Sequence, residues 1–168
     1  MCIRDRFSDA FAVQFPVRLE DVRPYFLSGD SQQPVNLWSF DAGKGLSEQN
    51  ARGMARVEEQ PPQSQDLAGG GSWEEGRWTL LFRRALDTRD TDRDVQFRAE
   101  YFIPIAFFAW DGHDGQSGGV RSISSWYYLY LRRPTPDSVY MYPAVAMALT
   151  ALVGIGVARR ARRGQRTP

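Results

Sequence analysis

The sequence predicts an all-β domain, an antiparallel β-sandwich, followed by one C-terminal transmembrane helix. Two observations favour the sandwich: apolar and polar residues alternate along several segments, and turns rich in Gly or Asp separate those segments. A third observation predicts the helix, because the 19 residues from 140 to 158 include no charged side chain. With 168 residues, the chain has room for one domain of ordinary size beside such a helix.

The strands are predicted from the alternation of apolar and polar residues. Residues 7–19, FSDAFAVQFPVRL, place alternate apolar side chains from Phe11 to Val17 on one face. Residues 34–41, PVNLWSFD, repeat the pattern after a turn at 28–31. Further strands are predicted at 77–86, 95–110 and 121–131.

The segment 43–72 lacks this periodicity. It contains Pro61-Pro62 and the run Gly69-Gly70-Gly71, and most of its other residues are polar. Thirty residues of this kind within one domain are typical of a functional loop. The segment is therefore predicted to be largely irregular.

Residues 140–158, YMYPAVAMALTALVGIGVA, are predicted to span a membrane. As a helix they would extend for about 28 Å, which matches the hydrocarbon core of a bilayer. Five arginines follow between Arg159 and Arg166, and positive residues close to a span stay in the cytoplasm. The sequence thus predicts a cytoplasmic basic tail at 159–168 and an extracytoplasmic, periplasmic body at 7–137. A buried core helix is the alternative, and it would leave the arginine run unexplained.

The first six residues, Met-Cys-Ile-Arg-Asp-Arg, differ in character from the rest of the chain. They are charged and have no apolar core, so they cannot form a signal peptide. They resemble the translation of a sequencing adapter, and the strand pattern begins at once with Phe7. We therefore expect residues 1–6 to be an assembly artefact and the natural N-terminus, including an export signal, to be missing.

Charge and composition exclude several functions. Removing the five C-terminal arginines from the 21 basic residues leaves 16 against 20 acidic ones, so the body is mildly acidic and is not expected to bind nucleic acid. Cys2 is the single cysteine, which excludes a disulfide framework and covalent haem attachment through CxxCH. His113 is the single histidine, and no nucleophile–base set can be assembled around it. No catalytic residues are predicted.

Two adjoining segments carry a resemblance to a known family. IPIAFFAWDG (103–112) followed by GGVRSISSWYYLYL (118–131) resembles the haem-binding domain of the ethylbenzene dehydrogenase gamma subunit. Related gamma subunits belong to dimethylsulfide, selenate and chlorate enzymes of the dimethyl sulfoxide reductase family. Weaker matches occur in the family's order at DAFAVQFP (9–16), PVNLW (34–38), Gln63 to Asp66 and GRWTLLFRRAL (76–86), so the resemblance covers residues 7–131.

The resemblance implies a β-sandwich, similar to carbohydrate-binding modules, that holds one haem b. Such a domain passes electrons between molybdenum and iron–sulfur subunits and a redox carrier, and catalyses nothing alone. The family holds the iron with a methionine and a lysine. Here Ser28 stands at the position aligned with the methionine and Arg121 at the position aligned with the lysine.

Neither replacement is a good iron ligand. The guanidinium of Arg121 has no free lone pair, and it suits a haem propionate better. Trp38 and Trp126, in two of the matching segments, are predicted to line the same cofactor site. Met54 and His113 are the candidate iron ligands, because both residue types ligate haem, and Lys44 is a further candidate. The structural alternatives are that His113 is an exposed turn residue and that Met54 packs on the sandwich.

Two functions follow from these observations. The first is a membrane-anchored, extracytoplasmic haem b subunit that transfers electrons within a molybdenum oxidoreductase complex. The second is a haem-free β-sandwich that has lost its axial ligands and binds a protein partner or a glycan. A haem spectrum would discriminate between the two.

Overall fold

We describe the protein from a computed structural model, which describes residues 7–19 and 23–164, with side chains as far as Arg160. The chain divides after Arg132 into two compact units, a β-rich one and a helical one. Residues 1–6, for which the sequence predicts an artefact, lie outside the described residues. In the predicted tail at 159–168, only the side chains of Arg159 and Arg160 are described.

The β-rich unit is built from antiparallel strands, as the sequence predicts. The strands are β1 (Ala10–Pro16), β2 (Val35–Asp41), β3 (Gly45–Ala51), β4 (Val57–Glu59), β5 (Ala68–Glu74), β6 (Arg77–Arg83), β7 (Phe102–Trp110), β8 (Ser122–Ile123) and β9 (Tyr127–Tyr130). One sheet has the order β4-β3-β2-β1-β7-β8, with β9 pairing with the first half of β7. Strands β5 and β6 form a separate hairpin.

The large sheet is covered on both faces, so that it has two cores. On one face Phe15, Trp38, Phe97 and Ile103 are buried together, and on the other face Val35, Leu37 and Phe108 are buried together. We call these the first core and the second core. Side chains alternate along each strand, and the register that pairs Val13 with Trp38 keeps the two sets apart.

The β5–β6 hairpin packs on the face of the first core. The ring of Trp78 lies 5.7 Å from that of Phe40 and 5.8 Å from that of Phe11, measured between centroids. A Cβ atom at Gly71 would come within 2.7 Å of the Phe40 ring, so the glycine allows the strand to approach this closely. The glycine run therefore belongs to a packed strand, and the second layer makes the architecture sandwich-like.

The prediction that residues 43–72 are irregular is wrong. The segment contains β3, β4, a turn of 3-10 helix at Pro62–Ser64 and the first five of the seven residues of β5. Strand β3, GLSEQNA, fully buries two of its seven residues, and one of them is the carboxylate of Glu48. A strand that buries a charged residue has no apolar alternation for the sequence to reveal.

Several of the predicted strands are shorter than expected, including the one predicted at 7–19, which is reduced to Ala10–Pro16. The strand predicted at 95–110 begins at Phe102, because Glu100 adopts a positive φ of 67° that ends the extended backbone. Val95 and Phe97 are nevertheless buried in the first core. The strand predicted at 121–131 is divided into β8 and β9, and the one predicted at 77–86 ends at Arg83.

A fully buried charge cluster fixes β3 to the segment after β6. The Arg84 Nη1 atom lies 3.0 Å from Glu48 Oε1 and 3.3 Å from Asp94 Oδ1, and all three side chains are inaccessible to solvent. The guanidinium also lies 4.8 Å from the centre of the Trp38 ring and donates to the carbonyl of Val95. Gln60 Nε2 donates to Asp94 at 2.8 Å. One cation thus serves two buried carboxylates.

The cluster predicts how stability depends on pH. Burial raises the pKa of Glu48 above its usual value of 4.5, against the opposing hydrogen bonds from Arg84 and the Asp66 N–H. The folded protein therefore binds more protons than the unfolded chain above pH 4.5, so Glu48 lowers stability as pH rises through the folded pKa. The test compares the unfolding free energies of the wild type and Glu48→Gln, measured by denaturant titration at several pH values. As pH rises from 4.5 through the folded pKa, we expect the wild type to lose stability relative to Glu48→Gln. A wild type that gains stability relative to Glu48→Gln as pH rises would contradict this assignment.

The helical unit contains α1 (Ser138–Gly164). Its part Ser138–Arg160 has a mean hydropathy of 1.8 and is long and apolar enough to cross a membrane. The helix includes the predicted span 140–158 and extends it at both ends.

Candidate functional site

The structure places Ser28 and Arg121 in direct contact. The Arg121 Nη2 atom donates to Ser28 Oγ at 2.7 Å, although the two residues are 93 positions apart in the chain. Arg121 Nη1 donates to the carbonyl of Gly118 at 3.0 Å. The two positions at which the resemblance implies iron ligands are thus neighbours in space.

A tight turn presents the Ser28 hydroxyl. Ser28 is fully buried and has a positive φ of 74°, and the N–H of the following Gly29 donates to the Tyr25 carbonyl at 2.8 Å. The Ser28 carbonyl accepts from the N–H of Gly53 at 2.8 Å. This last bond joins the turn to the β3–β4 connection, which carries Met54.

Aromatic rings of β7 support the Arg121 guanidinium. The guanidinium carbon lies 4.6 Å from the centre of the Phe108 ring and 5.4 Å from that of Trp110. The Trp110 Nε1 atom donates at 3.0 Å to the Gly118 carbonyl that also accepts from Arg121. Such cation–π contacts replace part of the lost hydration of a buried cation.

Arg121 carries a positive charge that no carboxylate among the described residues neutralises. Within the part of the chain that the structure describes, no carboxylate forms an ion pair with Arg121, and its buried Nε atom has no hydrogen-bond partner. Burial lowers the pKa of Arg121, yet a guanidinium remains protonated in proteins. A partly buried cation without a counter-charge favours the binding of an anionic group beside it.

A cavity of about 850 Å³ opens next to this arginine. Its wall includes Trp110 and Gly118, two of the residues that contact Arg121, and Lys44 also lines it. The remaining lining side chains are mixed: they include hydroxyls and amides such as Ser39, Ser47 and Gln49, the carboxylates of Asp41 and Glu59, and the rings of Phe11 and Phe40. Ser39 is paired with Ala12 of the second core, so part of the cavity lies on that face of the sheet. Its size is that of a cofactor or small-ligand pocket.

The two predicted tryptophans lie on opposite faces of the sheet. Trp126 packs against the second core, and its Nε1 atom donates to the Pro24 carbonyl at 3.0 Å, close to the Ser28 turn. Trp38 is buried in the first core, where its Nε1 atom donates to Asn36 Oδ1 at 3.0 Å. Residues of β2 that point toward the Arg121 side are Val35 and Leu37. The structure therefore brings Trp126, but not Trp38, to this site.

Met54 and His113 lie on different turns. Met54 follows Gly53 and is 52% exposed, at the edge of the Ser28 turn. His113 is exposed in the loop after β7, and its N–H donates to Asp111 Oδ1 at 2.9 Å. The neighbouring Gly112 N–H donates to Asp9 at 2.9 Å, which holds that loop against the start of β1. Met54 is thus the candidate whose own turn is hydrogen-bonded to the Ser28 turn.

The pair of Arg121 and Ser28 does not itself fit an iron ion. A separation of 2.7 Å between Nη2 and Oγ leaves no space for a metal between them, and arginine offers no lone pair. No group of three or more His, Cys, Asp or Glu side chains able to hold a metal occurs within the residues described. The forked donors of an arginine side chain are of the kind that binds carboxylates. Phe108, Trp110 and Gly118 are site residues that sequence reasoning missed, although all three lie in the segments that carry the resemblance.

Comparison with known proteins found two informative relatives and no matching family model. The chain is 29% identical over 153 residues to a protein of Haloferax mediterranei named as putative respiratory nitrate reductase heme subunit ORF7, covering 91% of this chain and 53% of that protein. It is also 29% identical over 142 residues to the dimethylsulfide dehydrogenase subunit gamma of Rhodovulum sulfidophilum, covering 81% of this chain and 51% of that protein.

These relatives indicate a wider group of proteins than the sequence motifs, which resemble the ethylbenzene dehydrogenase gamma subunit. They are similar to this chain over most of its length, and their names describe a haem subunit and a gamma subunit of oxidoreductases. The similarity is thus to gamma-type haem subunits in general and not to the ethylbenzene dehydrogenase member in particular. The chain spans about half the length of the two relatives.

Proposed function

We propose that the chain is a haem b electron-transfer subunit, or a domain of one, that works with a molybdenum oxidoreductase and is not itself an enzyme. The observation that carries the proposal is the similarity over 91% and 81% of the chain to subunits of nitrate reductase and dimethylsulfide dehydrogenase. Arg121 supports it as well, because no described carboxylate pairs with this cation, its contacts Trp110 and Gly118 line a cavity of about 850 Å³, and haem carries two carboxylates.

In this proposal each group at the site has a separate task. Arg121 holds a propionate by charge-assisted hydrogen bonds, and the buried Ser28 hydroxyl orients the guanidinium. Trp110 and Trp126 exclude water from the same face. Met54 and His113 are the candidate iron ligands, and Lys44 is a third because it lines the cavity. Haem supplies a reversible one-electron iron couple when bound, and its ligands and burial set the potential.

We further propose that α1 anchors the body in a membrane. The helix has the length and composition of a span. Five arginines lie within eight residues after the span 140–158, whereas Arg132 and Arg133 are the basic residues within the eight positions before it. This asymmetry supports a cytoplasmic C-terminus and a body on the periplasmic side. There the domain would exchange electrons with molybdenum and iron–sulfur subunits or with a redox carrier.

The test of the cofactor is an absorption spectrum of the full chain. We expect protein purified in detergent and loaded with haem b to give a Soret band and a reduced-minus-oxidised difference spectrum. Replacing the iron ligand changes coordination, so Met54→Ala or His113→Ala should shift or abolish those bands. Arg52→Ala, at an exposed position two residues before Met54, is the control and should leave them unchanged.

Two outcomes would change the proposal. Bands that survive both substitutions would keep the haem and reject these ligands, and Lys44→Ala would be tested next. The lack of any Soret band in the wild type would remove the electron-transfer function. The haem-free binding module would then be favoured, because hydroxyl and amide side chains beside Trp110 suit the hydroxyl groups of a glycan.

A further inference from the structure

The strand β9 exposes all its side chains. Tyr127, Tyr128, Leu129 and Tyr130 are between 42% and 57% exposed, and Phe102 on the paired strand β7 is 66% exposed. Large apolar side chains grouped in this way on a folded domain mark a surface that another phase or molecule covers. We call Phe102 and residues 127–130 the aromatic edge.

The side chains of the aromatic edge form an ordered surface. On one face the Phe102 ring lies 4.9 Å from that of Tyr130 and 6.5 Å from that of Tyr128. On the other face the Phe107 ring lies 6.2 Å from that of Tyr127. Both faces of this edge are therefore apolar with phenol hydroxyls at the tips, whereas the central strands of the sheet are buried on both faces.

We propose that the aromatic edge lies in the headgroup region of the membrane in which α1 is anchored. Tyrosine is enriched at membrane–water interfaces, because its ring is apolar and its hydroxyl is polar. The headgroup region is hydrated, so it also accepts the backbone polar groups of an outermost strand that the hydrocarbon core would exclude. Arg23 lies beside this surface, 5.7 Å from the centre of the Tyr128 ring, and Arg132 follows it in the chain. Both cations suit lipid phosphates.

The short segment between β9 and α1 supports the membrane headgroup region, rather than a distant protein, as the partner of the aromatic edge. Leu131, the residue after β9, packs against the first core and is fixed to the domain. Helix α1 begins at Ser138, and seven residue steps span at most about 25 Å. Pro134 and Pro136 shorten the reach further. In this proposal a short covalent tether joins the end of the aromatic edge to the membrane helix.

This inference rests on the proposed membrane anchor but not on the proposed haem. The test uses the full chain with Cys2→Ser, reconstituted in phosphatidylcholine vesicles that contain phosphatidylglycerol. A single cysteine at Tyr128→Cys, and separately at Phe102→Cys, carries an environment-sensitive NBD fluorophore. Trp73→Cys is the matched control, since Trp73 is an aromatic residue 55% exposed on the β5–β6 hairpin.

We expect NBD at both edge positions to emit at shorter wavelength than at Trp73 and to be quenched several-fold more by lipids that carry a nitroxide near the headgroup. Water-like emission without quenching at both edge positions would overturn the inference. Short-wavelength emission that nitroxide lipids do not quench would also overturn it, because it would indicate that a protein partner or a second copy of the chain covers the edge. Extraction of the protein by alkaline carbonate would instead reject the anchor itself. The haem spectrum, measured on the same samples, reports separately on the proposed function.

Discussion

Replacement of Arg84 by methionine is expected to lower the unfolding free energy of the β-rich unit by about 3–5 kcal/mol. The substitution keeps an unbranched side chain of similar length and removes the cation that pairs with Glu48 and Asp94. Both carboxylates are inaccessible to solvent and would remain buried without a counter-charge. A change of this size exceeds a third of the stability of many domains.

The measurement is urea unfolding of the full chain in detergent, followed by tryptophan fluorescence, because Trp38 contacts the Arg84 guanidinium at 4.8 Å. Arg93→Met is the matched control. Arg93 pairs with Asp90 at 3.1 Å on the surface, where its side chain is 53% exposed, so this loss should cost less than about 1 kcal/mol. Equal effects of the two substitutions would show that the buried cluster contributes no more than a surface pair.

A compensating variant separates charge from packing. Adding Glu48→Gln and Asp94→Asn to Arg84→Met removes the unpaired charges, and the stability should partly return if buried charge is the cause. If the triple variant is no more stable than Arg84→Met, the loss comes instead from the packing of the side chain between Trp38 and Phe97.

The strands that bury apolar side chains were predictable, and those that bury polar ones were not. Alternation located β1, β2 and β6 to within a few residues of their bounds. Strand β3 was missed because one of its two buried residues is Glu48, whose charge is paired with Arg84, 36 residues away. A local pattern cannot reveal a residue whose burial depends on a distant partner.

The same limit applies to the candidate site. Ser28 and Arg121 came from a resemblance, and periodicity gave no reason to place them together. Their contact arises because the Ser28 turn and the loop after β7 lie over the same core. Trp38 was expected beside them since it lies in a matching segment, yet strand geometry turns its side chain to the opposite face from Leu37. The resemblance identifies positions in the chain, and the register of β2 decides which face each one reaches.

Arg121 is expected to control haem retention without controlling the position of the haem bands. Its guanidinium is held by the Ser28 hydroxyl, the Gly118 carbonyl and two rings, and no described carboxylate neutralises it. A charge-assisted hydrogen bond of this kind contributes about 1.5–3 kcal/mol. Arg121→Ala should therefore weaken haem binding roughly 10- to 150-fold, as measured by titration of the apoprotein with haem b.

The pattern across variants identifies the role of the residue. Arg121→Lys keeps the charge but loses the forked donor geometry, so its affinity should lie between those of the wild type and Arg121→Ala. Because a guanidinium does not ligate iron, the bands of Arg121→Ala should keep the wild-type positions. Arg56→Ala, at an exposed site on the turn after Gly53, is the charge control and should bind haem as the wild type does.

Unchanged affinity in Arg121→Ala would place the carboxylates of haem elsewhere in the cavity. Bands that move in Arg121→Lys alone would instead mean that the lysine amine has become an iron ligand, and that haem lies within reach of position 121.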